Sequence, residues 1–479
     1  MVIIGGGAAG LAAGLAAAEK GASIIILEKR SALGGNAIMA GGIFAAESPT
    51  QKRAMIDLRR DDCFRTAMNY AHWKINPLIV RVLIDRSGDT IRWLEEKGLN
   101  FTCFPEALPG QGGFHLPNGA GAGLIKHLAG ECKKRGVKIL SRTQAKKIIT
   151  GKKSEVSGVQ AIANGEEFII KTKSIIISTG GYGGNKKLLK KYCSDYRDNM
   201  TCYGVPNMGD GLVMAMALGA DTEGLGIMLM AGPTLPKSIQ LHIGTEPNVI
   251  RVQLSALILE PNTMWVNNRG KRFCDESIGF NHFESANPVV IQPDNASFTL
   301  FDSKILQDWI EQGFILGMGT PLGVQGKRLQ GLERAIQEQA ERGWVKIADT
   351  WDQIADWIGA DPKILKATIE EYNANCENGY DPTFNKGRKY LVSLRLPPYY
   401  AIKARTDILG TIGGIKINEH MEVLDKKGKP IPGLYSAGID TGGWSSESYN
   451  GLLPGNAFGF SINAGRIAGE NAIDYVKSL

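Results

Sequence analysis

Residues 1–30 place the strongest constraint on how this chain can fold. Residues 2–4 form a short apolar strand that runs directly into the glycine-rich turn 5–10, and an alanine-rich helix is predicted over 11–18. A second apolar strand, 23–27, ends at Glu28. A strand, a G-x-G-x-x-G turn, a helix, a strand and an acidic residue in this order are typical of a dinucleotide-binding unit.

Each glycine of this turn has a separate expected role. Gly5 permits the tight turn, Gly7 lets the backbone approach a pyrophosphate, and Gly10 lets the helix pack closely on the strand. The pyrophosphate is expected at the helix N-terminus, where free amide groups and the helix dipole favour an anion. Glu28 follows eighteen residues after Gly10 and is placed to accept hydrogen bonds from a ribose.

Composition and charge narrow the class of protein. With 479 residues, the chain has a length typical of about two to three domains. Its 60 glycines exceed the usual share of about 7%, which suits a protein that surrounds a cofactor with backbone. The net charge of +7 is mild, and the basic residues lack interleaved aromatic residues, so no nucleic-acid partner is expected.

The cysteine pattern predicts a reduced, cytoplasmic protein. The seven cysteines are dispersed, and none forms a CxxC pair or precedes a histidine at haem-attachment spacing. Neither haem nor iron–sulfur ligands are indicated, and no metal site is expected. The apolar N-terminus has no basic residue before Glu19, so it is interpreted as a strand and helix and not as a signal peptide. No apolar run is long enough to predict a membrane span.

The remaining chain alternates between helices and strands. Helical spacing predicts helices within 54–98, and an alternating pattern predicts a β-hairpin over 157–172. The apolar strand 174–178 is typical of a buried parallel sheet, and it runs into the glycine-rich loop 179–185. Residues 227–404 mix strand-like segments with amphipathic helices, which predicts a domain inserted between two glycine-rich parts.

Motifs spread over nearly the whole chain, in a consistent order, resemble one family of flavoproteins. They are GGGAAG with Glu28-Lys29, LGGNAIMAGGIFAAE (33–47), STGGYGGN (178–185), MGDG (208–211), VNNRGKRFCDE (266–276), EEYNANCENGYDPTF (370–384), PPYYAIKA (397–404) and PGLYSAGIDTGG (432–443). The family is that of the fumarate reductase and succinate dehydrogenase flavoproteins, with soluble flavocytochrome c-type fumarate reductases, urocanate reductase and 3-ketosteroid dehydrogenases as relatives. The resemblance implies an α/β fold. A Rossmann-like FAD-binding domain from 1–226 and 405–479 would be closed by an α+β capping domain, 227–404.

Position by position, the resemblance also implies which residues line the FAD. They are Gly5, Gly7, Ala8, Ala9, Gly10, Glu28, Lys29, Arg30, Gly34, Gly35, Asn36, Ala40, Gly41, Gly42, Ala145, Thr179, Gly180, Gly181, Asn185, Asp210, Gly438, Asp440, Gly455, Asn456, Ala457 and Phe458. Asp440 stands one residue later than the family's usual glutamate. Succinate dehydrogenases attach FAD through a histidine that is missing from 35–40, so the FAD is expected to be non-covalent.

The groups that clamp and protonate a dicarboxylate in fumarate reductases are replaced in this chain. The positions of two histidines and two arginines of that family correspond to Gly232, Gly410, Phe280 and Leu452. Burying two unpaired carboxylates costs several kcal/mol each, so fumarate is not the expected substrate. The replacements favour a larger or less charged molecule.

Three residues are candidates for catalysis. Tyr449 lies in the loop before 455–457, and its phenol is the first candidate for a general acid, although it could equally hold the loop in place. His282 follows the position of the replaced arginine and could supply the proton instead, although a lone histidine is more often structural. Arg251 could bind a carboxylate or thioester oxygen, or lie on the surface.

Together these features predict an FAD-dependent oxidoreductase acting on a C–C or C=C bond beside an electron-withdrawing group of a small molecule. Flavin N5 would exchange a hydride with one carbon, and a protein residue would exchange a proton at its neighbour. The electrons are expected from an external carrier or redox subunit. The alternative is a non-catalytic or electron-relay flavoprotein subunit of a larger complex, whose substrate pocket has decayed.

Overall fold

The computed structural model describes residues 1–105, 112–152, 154–235, 240–243, 250–317 and 326–479. The strands are β1 (Val2–Ile4), β2 (Ile25–Glu28), β3 (Ile43–Phe44), β4 (Phe101–Cys103), β5 (Phe114–Pro117), β6 (Lys138–Ser141), β7 (Thr143–Thr150), β8 (Val156–Ala163), β9 (Glu166–Lys171), β10 (Ile175–Ile177), β11 (Thr222–Glu223), β12 (Met228–Thr234), β13 (Gln240–Ile243), β14 (Ile250–Gln253), β15 (Met264–Val266), β16 (Ser297–Asp302), β17 (Val345–Ala348), β18 (Tyr399–Thr411), β19 (Gly414–Ile415), β20 (Glu422–Leu424) and β21 (Pro430–Ser436). The α-helices are α1 (Ala8–Glu19), α2 (Pro49–Arg53), α3 (Arg60–Tyr70), α4 (Pro77–Glu95), α5 (Ala120–Lys134), α6 (Lys186–Tyr192), α7 (Asp210–Ala217), α8 (Ser255–Ile258), α9 (Ala286–Val290), α10 (Ser303–Gln312), α11 (Leu332–Glu341), α12 (Trp351–Ile358), α13 (Pro362–Asn378) and α14 (Asn456–Lys477).

The chain divides into two compact units. Unit 1 comprises Met1–Ser194, Gly204–Leu229 and Leu409–Leu479, and unit 2 comprises Asp195–Tyr203 and Met230–Ile408. The expectation that 227–404 is a cap that closes over a flavin stays a prediction. Within the described residues, no helix is both long enough and apolar enough to cross a bilayer.

Unit 1 is built on a six-stranded sheet with the order β20-β21-β10-β1-β2-β6. All neighbouring pairs are parallel except β20 with β21. Ile3 of β1 lies between Ile176 and Ile26, and all three side chains are fully buried. Apolar strands buried on both faces are typical of a parallel sheet, which confirms the α/β fold predicted from the sequence.

Helix α1 packs against the C-terminal helix α14 with almost no side chain between the two backbones. A Cβ atom added at Gly465 would lie 2.2 Å from the carbonyl oxygen of Ala9, and one added at Gly469 would lie 2.4 Å from that of Ala13. Only glycine permits this approach. Helices from the first and the last described segments therefore form one layer on the sheet.

Three smaller sheets complete the strands of unit 1. The hairpin predicted over 157–172 is observed as β8 and β9, and β7 joins it as the third strand. The order β3-β5-β4 forms the second sheet, and β11 pairs with β19. Helices α3 and α4 occupy the segment in which helical spacing predicted helices.

Unit 2 has its own sheet and core. Strands β12, β18, β16 and β15 lie in this order, and β17 also pairs with β18. A buried ion network lies beside this sheet, in which the guanidinium of Arg272 contacts Glu276 at 2.8 Å and Asp381 at 2.6 Å. The ammonium of Lys386 lies 3.0 Å from Glu276 and 2.6 Å from the carbonyl oxygen of Thr263. Each buried charge has a partner, as buried charges require.

Candidate functional site

Two positions at the turn after β1 accept only glycine. Gly5 has a φ of +108°, and a Cβ atom there would lie 2.2 Å from the carbonyl oxygen of Ser178. A Cβ atom at Gly10 would lie 2.0 Å from the carbonyl oxygen of Gly5. At Gly7, in contrast, the nearest atom would be the carbonyl oxygen of Gly34 at 3.9 Å. Gly5 and Gly10 shape the turn, and Gly7 leaves open space in front of it.

This open space lies at the N-terminus of α1. Among the described residues, no side chain caps the helix at Gly7, and the first turn contains no acidic residue. Helix α1 begins at Ala8, earlier than the predicted start at residue 11, so Ala8, Ala9 and Gly10 contribute the first-turn amides. An uncapped helix N-terminus offers N–H groups and a positive dipole end to an anion.

Glu28 lies at the end of β2, against the glycine turn. One carboxylate oxygen accepts a hydrogen bond from the amide of Gly6 at 2.8 Å, and the other accepts one from the amide of Arg30 at 2.8 Å. Each carboxylate oxygen can accept a second hydrogen bond. The geometry therefore fixes the carboxylate and leaves it able to accept from a hydroxyl group.

Residues from four separate parts of the sequence meet beside this turn. The ammonium of Lys29 pairs with Asp210, the first residue of α7, at 2.5 Å. The hydroxyl of Thr179 accepts a hydrogen bond from the amide of Gly211 and donates one to Asp440, each at 3.0 Å. Three predicted FAD contacts, Lys29, Asp210 and Thr179, are thus brought together with a fourth, Asp440.

Asp440 is almost fully buried. Its carboxylate also accepts a hydrogen bond from the amide of Gly180 at 2.8 Å. Burial raises the pKa of Asp440 to about 7 from 3.8, although the hydrogen bonds from Thr179 and Gly180 act in the opposite direction. A carboxyl with this pKa can exist in either protonation state near neutral pH.

The loop after β2 is held by backbone contacts and one side chain. Gly34 has a φ of +109°, and residues 35–39 form a 3₁₀ turn. The side-chain nitrogen of Asn36 donates to the carbonyl oxygen of Leu409 at 2.9 Å. Its side-chain oxygen accepts a hydrogen bond from the backbone amide of Val205 at 2.5 Å. Asn36 therefore links three segments of unit 1, and its predicted contact with FAD stays a prediction.

Helix α14 has a glycine as its N-cap, so its first-turn amides receive no hydrogen bond from the N-cap residue's own side chain. Its N-cap, Gly455, has a φ of +79°, and a Cβ atom there would lie 2.7 Å from the carbonyl oxygen of Gly42. Asn456 and Ala457 form the first turn, and Phe458 is buried behind them.

The remaining predicted FAD contacts also lie in unit 1. A Cβ atom at Gly181 would lie 2.0 Å from the hydroxyl oxygen of Thr411, whereas one at Gly35 would meet nothing within 4 Å. Asn185 caps α6 and donates to the carbonyl oxygen of Met208 at 2.9 Å. The other residues of this set, placed in the loop after β2, in β7 and after β21, are Ala40, Gly41, Ala145 and Gly438.

Tyr449 points to the N-terminus of α14. Its side chain is buried, and its hydroxyl oxygen accepts a hydrogen bond from the amide of Ala457 at 3.1 Å. Burial raises the pKa of Tyr449 to about 12, although the amides of Asn456 and Ala457 act in the opposite direction. The hydroxyl is therefore protonated at neutral pH. Its role as a general acid stays a prediction.

The other two catalytic candidates lie in unit 2. Nδ1 of His282 is buried without a hydrogen-bond partner among the described residues. Burial lowers the pKa of His282 to about 4, so the ring is neutral at physiological pH. Arg251 lies in β14 opposite His242, and its side chain is outside the described part of the structure.

The structure also shows what surrounds the replaced fumarate-binding positions. A Cβ atom at Gly232 would lie 2.9 Å from the hydroxyl oxygen and 3.1 Å from the Cα of Thr406, so a larger side chain there requires a shift. The ring of Phe280 lies against Tyr390, with centroids 5.8 Å apart. Aromatic carbon thus stands at the position where the resemblance places a fumarate reductase's arginine.

One buried pair in unit 1 was missed by sequence reasoning. The hydroxyl of Ser48 lies 2.7 Å from Nε2 of His115, and both residues are fully buried. Nδ1 of His115 lies 2.9 Å from the carbonyl oxygen of Gly113. Ser48 and Gln51 form a capping box at the start of α2, and the S-x-x-Q pattern could have predicted that helix start. Nothing in sequence signals the histidine as its partner.

The residues of unit 1 fit a flavin dinucleotide. The open space at Gly7 and the uncapped start of α1 suit its pyrophosphate, and the fixed carboxylate of Glu28 suits a ribose hydroxyl. Buried Asp440 offers a further acceptor beside the loop after β10. In the described ranges, no group of histidine, cysteine and acidic side chains could hold a metal ion.

Comparisons with known proteins agree with this fit. The family model for the FAD binding domain matches residues 1–457. The chain is 29% identical to vinyl phenol reductase of Lactiplantibacillus plantarum, over 99% of this chain and 96% of that protein. It is 28% identical to NADH:fumarate oxidoreductase of Klebsiella pneumoniae, over 98% of this chain and 47% of that protein. A solved open conformation of a flavocytochrome c3 fumarate reductase superimposes with a TM-score of 0.73 and 25% identity, over 99% of this chain and 78% of that one.

These matches extend over both units, and the match with vinyl phenol reductase covers almost the full length of both proteins. The matched region includes the glycine turn, Glu28, Asp440 and the start of α14. The chain therefore belongs to the family of FAD binding domain flavoproteins.

Proposed function

We propose that the chain is an FAD-dependent oxidoreductase that reduces, or in the reverse direction forms, an activated C=C bond in a small molecule less charged than fumarate. The observation that carries the proposal is the combination of a dinucleotide site in unit 1 with Gly232 and Phe280, at positions where the resemblance places a histidine and the proton-donating arginine of fumarate reductases. The relative described as a vinyl phenol reductase supports an uncharged alkene.

The residues of unit 1 have distinct roles in holding the cofactor. FAD, when bound, supplies two-electron hydride exchange at its flavin ring. The α1 N-terminus neutralises the pyrophosphate with amide groups, and Glu28 orients a ribose through its hydroxyls. Asp440 accepts a hydrogen bond from the cofactor while Thr179 and Gly180 hold its carboxyl in place. The FAD is bound without a covalent link.

Tyr449 holds and delivers the proton. Its hydroxyl stays protonated at neutral pH because burial raises its pKa to about 12. The amides at the start of α14 fix the oxygen and stabilise the charge that develops when the proton leaves. A neutral His282 is the second candidate for this role, and Arg251 is assigned to substrate binding.

The wider arrangement is part of the same proposal. We assign residues 227–404 to substrate binding, as the capping domain of the enzyme. Electrons come from an external carrier or a redox subunit, because the dispersed cysteines offer no cluster ligands. This chain spans about half of NADH:fumarate oxidoreductase (47% of its length), so that protein carries a further segment. We assign the chain to the cytoplasm.

The test is reoxidation of the reduced flavin by candidate substrates. The purified protein is photoreduced without oxygen and mixed with an enone, an enoate, an enoyl thioester and a hydroxylated aryl alkene. Rapid recovery of the oxidised flavin spectrum with at least one uncharged alkene is expected. If none of them reoxidises the flavin and an external redox protein does, the chain is an electron-relay subunit and the proposal is wrong.

A further inference from the structure

Helix α6 presents a concentrated positive charge. Four of its seven residues, Lys186, Lys187, Lys190 and Lys191, are exposed lysines, and the helix contains no acidic residue. Leu189 is the buried residue on its opposite side. Lysine-rich helix faces are common on protein surfaces, so the charge alone does not indicate a binding site. The position of the helix in the fold is the second observation needed.

This position is directly beside the loop assigned to FAD. Helix α6 follows β10 through the loop 178–185, and its N-cap Asn185 is bonded to the carbonyl oxygen of Met208 at 2.9 Å. A Cβ atom at the next residue, Gly209, would lie 2.8 Å from Leu188, so the helix packs against the start of α7. At that point Asp210 pairs with Lys29, and Met208 has 40% of its surface exposed.

The sheet of unit 1 places the lysines at one defined edge. Because β10, β1 and β21 are parallel, the loops after their carboxyl ends lie at the same edge of the sheet. Those loops carry the glycine turn, Thr179 and Asp440. The exposed lysines Lys426 and Lys427 precede β21 and therefore lie at the opposite edge.

We infer that α6, with exposed Met208 beside it, is the docking face for an acidic electron-carrier protein. The four lysines and the apolar side chain of Met208 lie next to the loop 178–185. This surface is complementary in charge to a small carrier protein with a negative face. The inference rests on the proposed function, because it names the surface at which the external electron carrier docks. A brief encounter suits this surface, since redox partners form small interfaces of less than about 1,200 Å².

Electrostatic steering gives the inference a measurable consequence. Charge complementarity mainly raises the rate of encounter, by about 10- to 1,000-fold, and the effect falls steeply with ionic strength. At physiological salt the screening length is about 8 Å. Reversal of charge on α6 should therefore slow reduction by an acidic carrier at low salt and should reduce the salt dependence of that rate.

The experiment compares two matched charge reversals in the FAD-loaded protein. Lys186→Glu/Lys187→Glu changes α6, where acidic residues in the first helical turn are compatible with the helix dipole. Lys426→Glu/Lys427→Glu changes the net charge by the same amount at the opposite edge of the sheet. Reduced ferredoxin and flavodoxin hydroquinone are the acidic probes, and the bimolecular rate of flavin reduction is measured by stopped flow over a range of salt. FAD content and reoxidation by dioxygen, an uncharged acceptor, control for an intact site.

The α6 variant is expected to lower the rate at low salt by about tenfold or more. The control variant should have a much smaller effect, and both should retain FAD and normal reoxidation by dioxygen. Equal slowing by both variants, a rate independent of salt, or no reduction by either carrier would overturn the inference. It is also overturned if the α6 variant keeps its rate but loses binding to phosphatidylglycerol vesicles, because the lysines then serve a membrane surface. None of these outcomes depends on an alkene substrate.

Discussion

Some residues of the candidate site fix the conformation of the chain, and others offer atoms to a ligand. Gly5 and Gly10 shape it, because any side chain there meets backbone. Glu28, Asp440 and Tyr449 offer atoms, and each is already held by backbone amides. Groups fixed before a ligand arrives lose little conformational freedom on binding, which is the basis of preorganisation.

The hydroxyl of Tyr449 is predicted to carry the proton. Tyr449→Phe removes the hydroxyl at the start of α14 and should lower turnover by about 10²- to 10⁴-fold, the usual contribution of a general acid. FAD content and photoreduction should not change. Tyr475→Phe, in the last turn of the same helix, is the control. Normal turnover in Tyr449→Phe would transfer the role to His282.

The buried carboxyl of Asp440 is predicted to make stability depend on pH. Its pKa is raised to about 7 in the folded protein from 3.8, so the folded state holds the proton while the unfolded state has lost it. The free energy of unfolding of the apoprotein should therefore fall as pH rises from about 4 to about 7, by at most about 4 kcal/mol, and level off above.

Asp440→Asn removes this titration, so its stability relative to the wild type should increase across the same pH window. Chemical denaturation at several pH values measures the difference, and Asp425→Asn, at an exposed turn, is the control. A stability difference that does not vary with pH would contradict the raised pKa.

At the start of helix α1, one glycine is predicted to matter for FAD binding and another for folding. Gly7 has ordinary φ and open space, so Gly7→Ala should fold normally. The added methyl group lies where the pyrophosphate approaches, and FAD affinity should fall by at least about tenfold, or 1.4 kcal/mol. Gly10→Ala should instead destabilise the fold, because its Cβ meets Gly5.

Titration of the apoprotein with FAD measures affinity, and denaturation measures stability. Gly130→Ala in α5, where a Cβ meets nothing within 4 Å, should leave affinity unchanged and stabilise the helix by up to about 1 kcal/mol. Unchanged FAD affinity in Gly7→Ala would place the pyrophosphate elsewhere.

The loop after β2 predicts how the cofactor is attached. Residues 35–40 contain no histidine that could attach the cofactor. Acid precipitation of the purified protein should leave all flavin in the supernatant. Flavin retained in the washed pellet would show a covalent link.

Elements with strong local signals could be predicted, and long-range partners could not. The strand over 174–178 and the hairpin over 157–172 followed from apolar runs and alternation, which are local properties. The partners of Asn36, by contrast, are Val205 and Leu409, which are far away in sequence and bonded through backbone atoms. Any residue type can provide a backbone partner, so such hydrogen bonds cannot be recognised from the amino-acid sequence.

The same limit applies to the whole molecule. The change of pattern near residue 227 predicted an inserted domain, and the structure has two units with a transition at 229/230. The structure also assigns Asp195–Tyr203 to unit 2, where the backbone amide of Tyr203 donates to the carbonyl oxygen of Ile408 at 3.0 Å. A short segment that joins another unit through backbone contacts has no compositional signature.

We propose that this flavin oxidoreductase acts on a substrate less charged than the dicarboxylate of fumarate reductases. The most direct measurement compares fumarate with its uncharged dimethyl ester as oxidants of the photoreduced protein, under identical anaerobic conditions. Free reduced FAD corrects for the different reactivity of the two alkenes. We predict that the ester reoxidises the protein's flavin far faster than fumarate after this correction. Faster reoxidation by fumarate, with turnover on the order of 10 per second, would contradict the account.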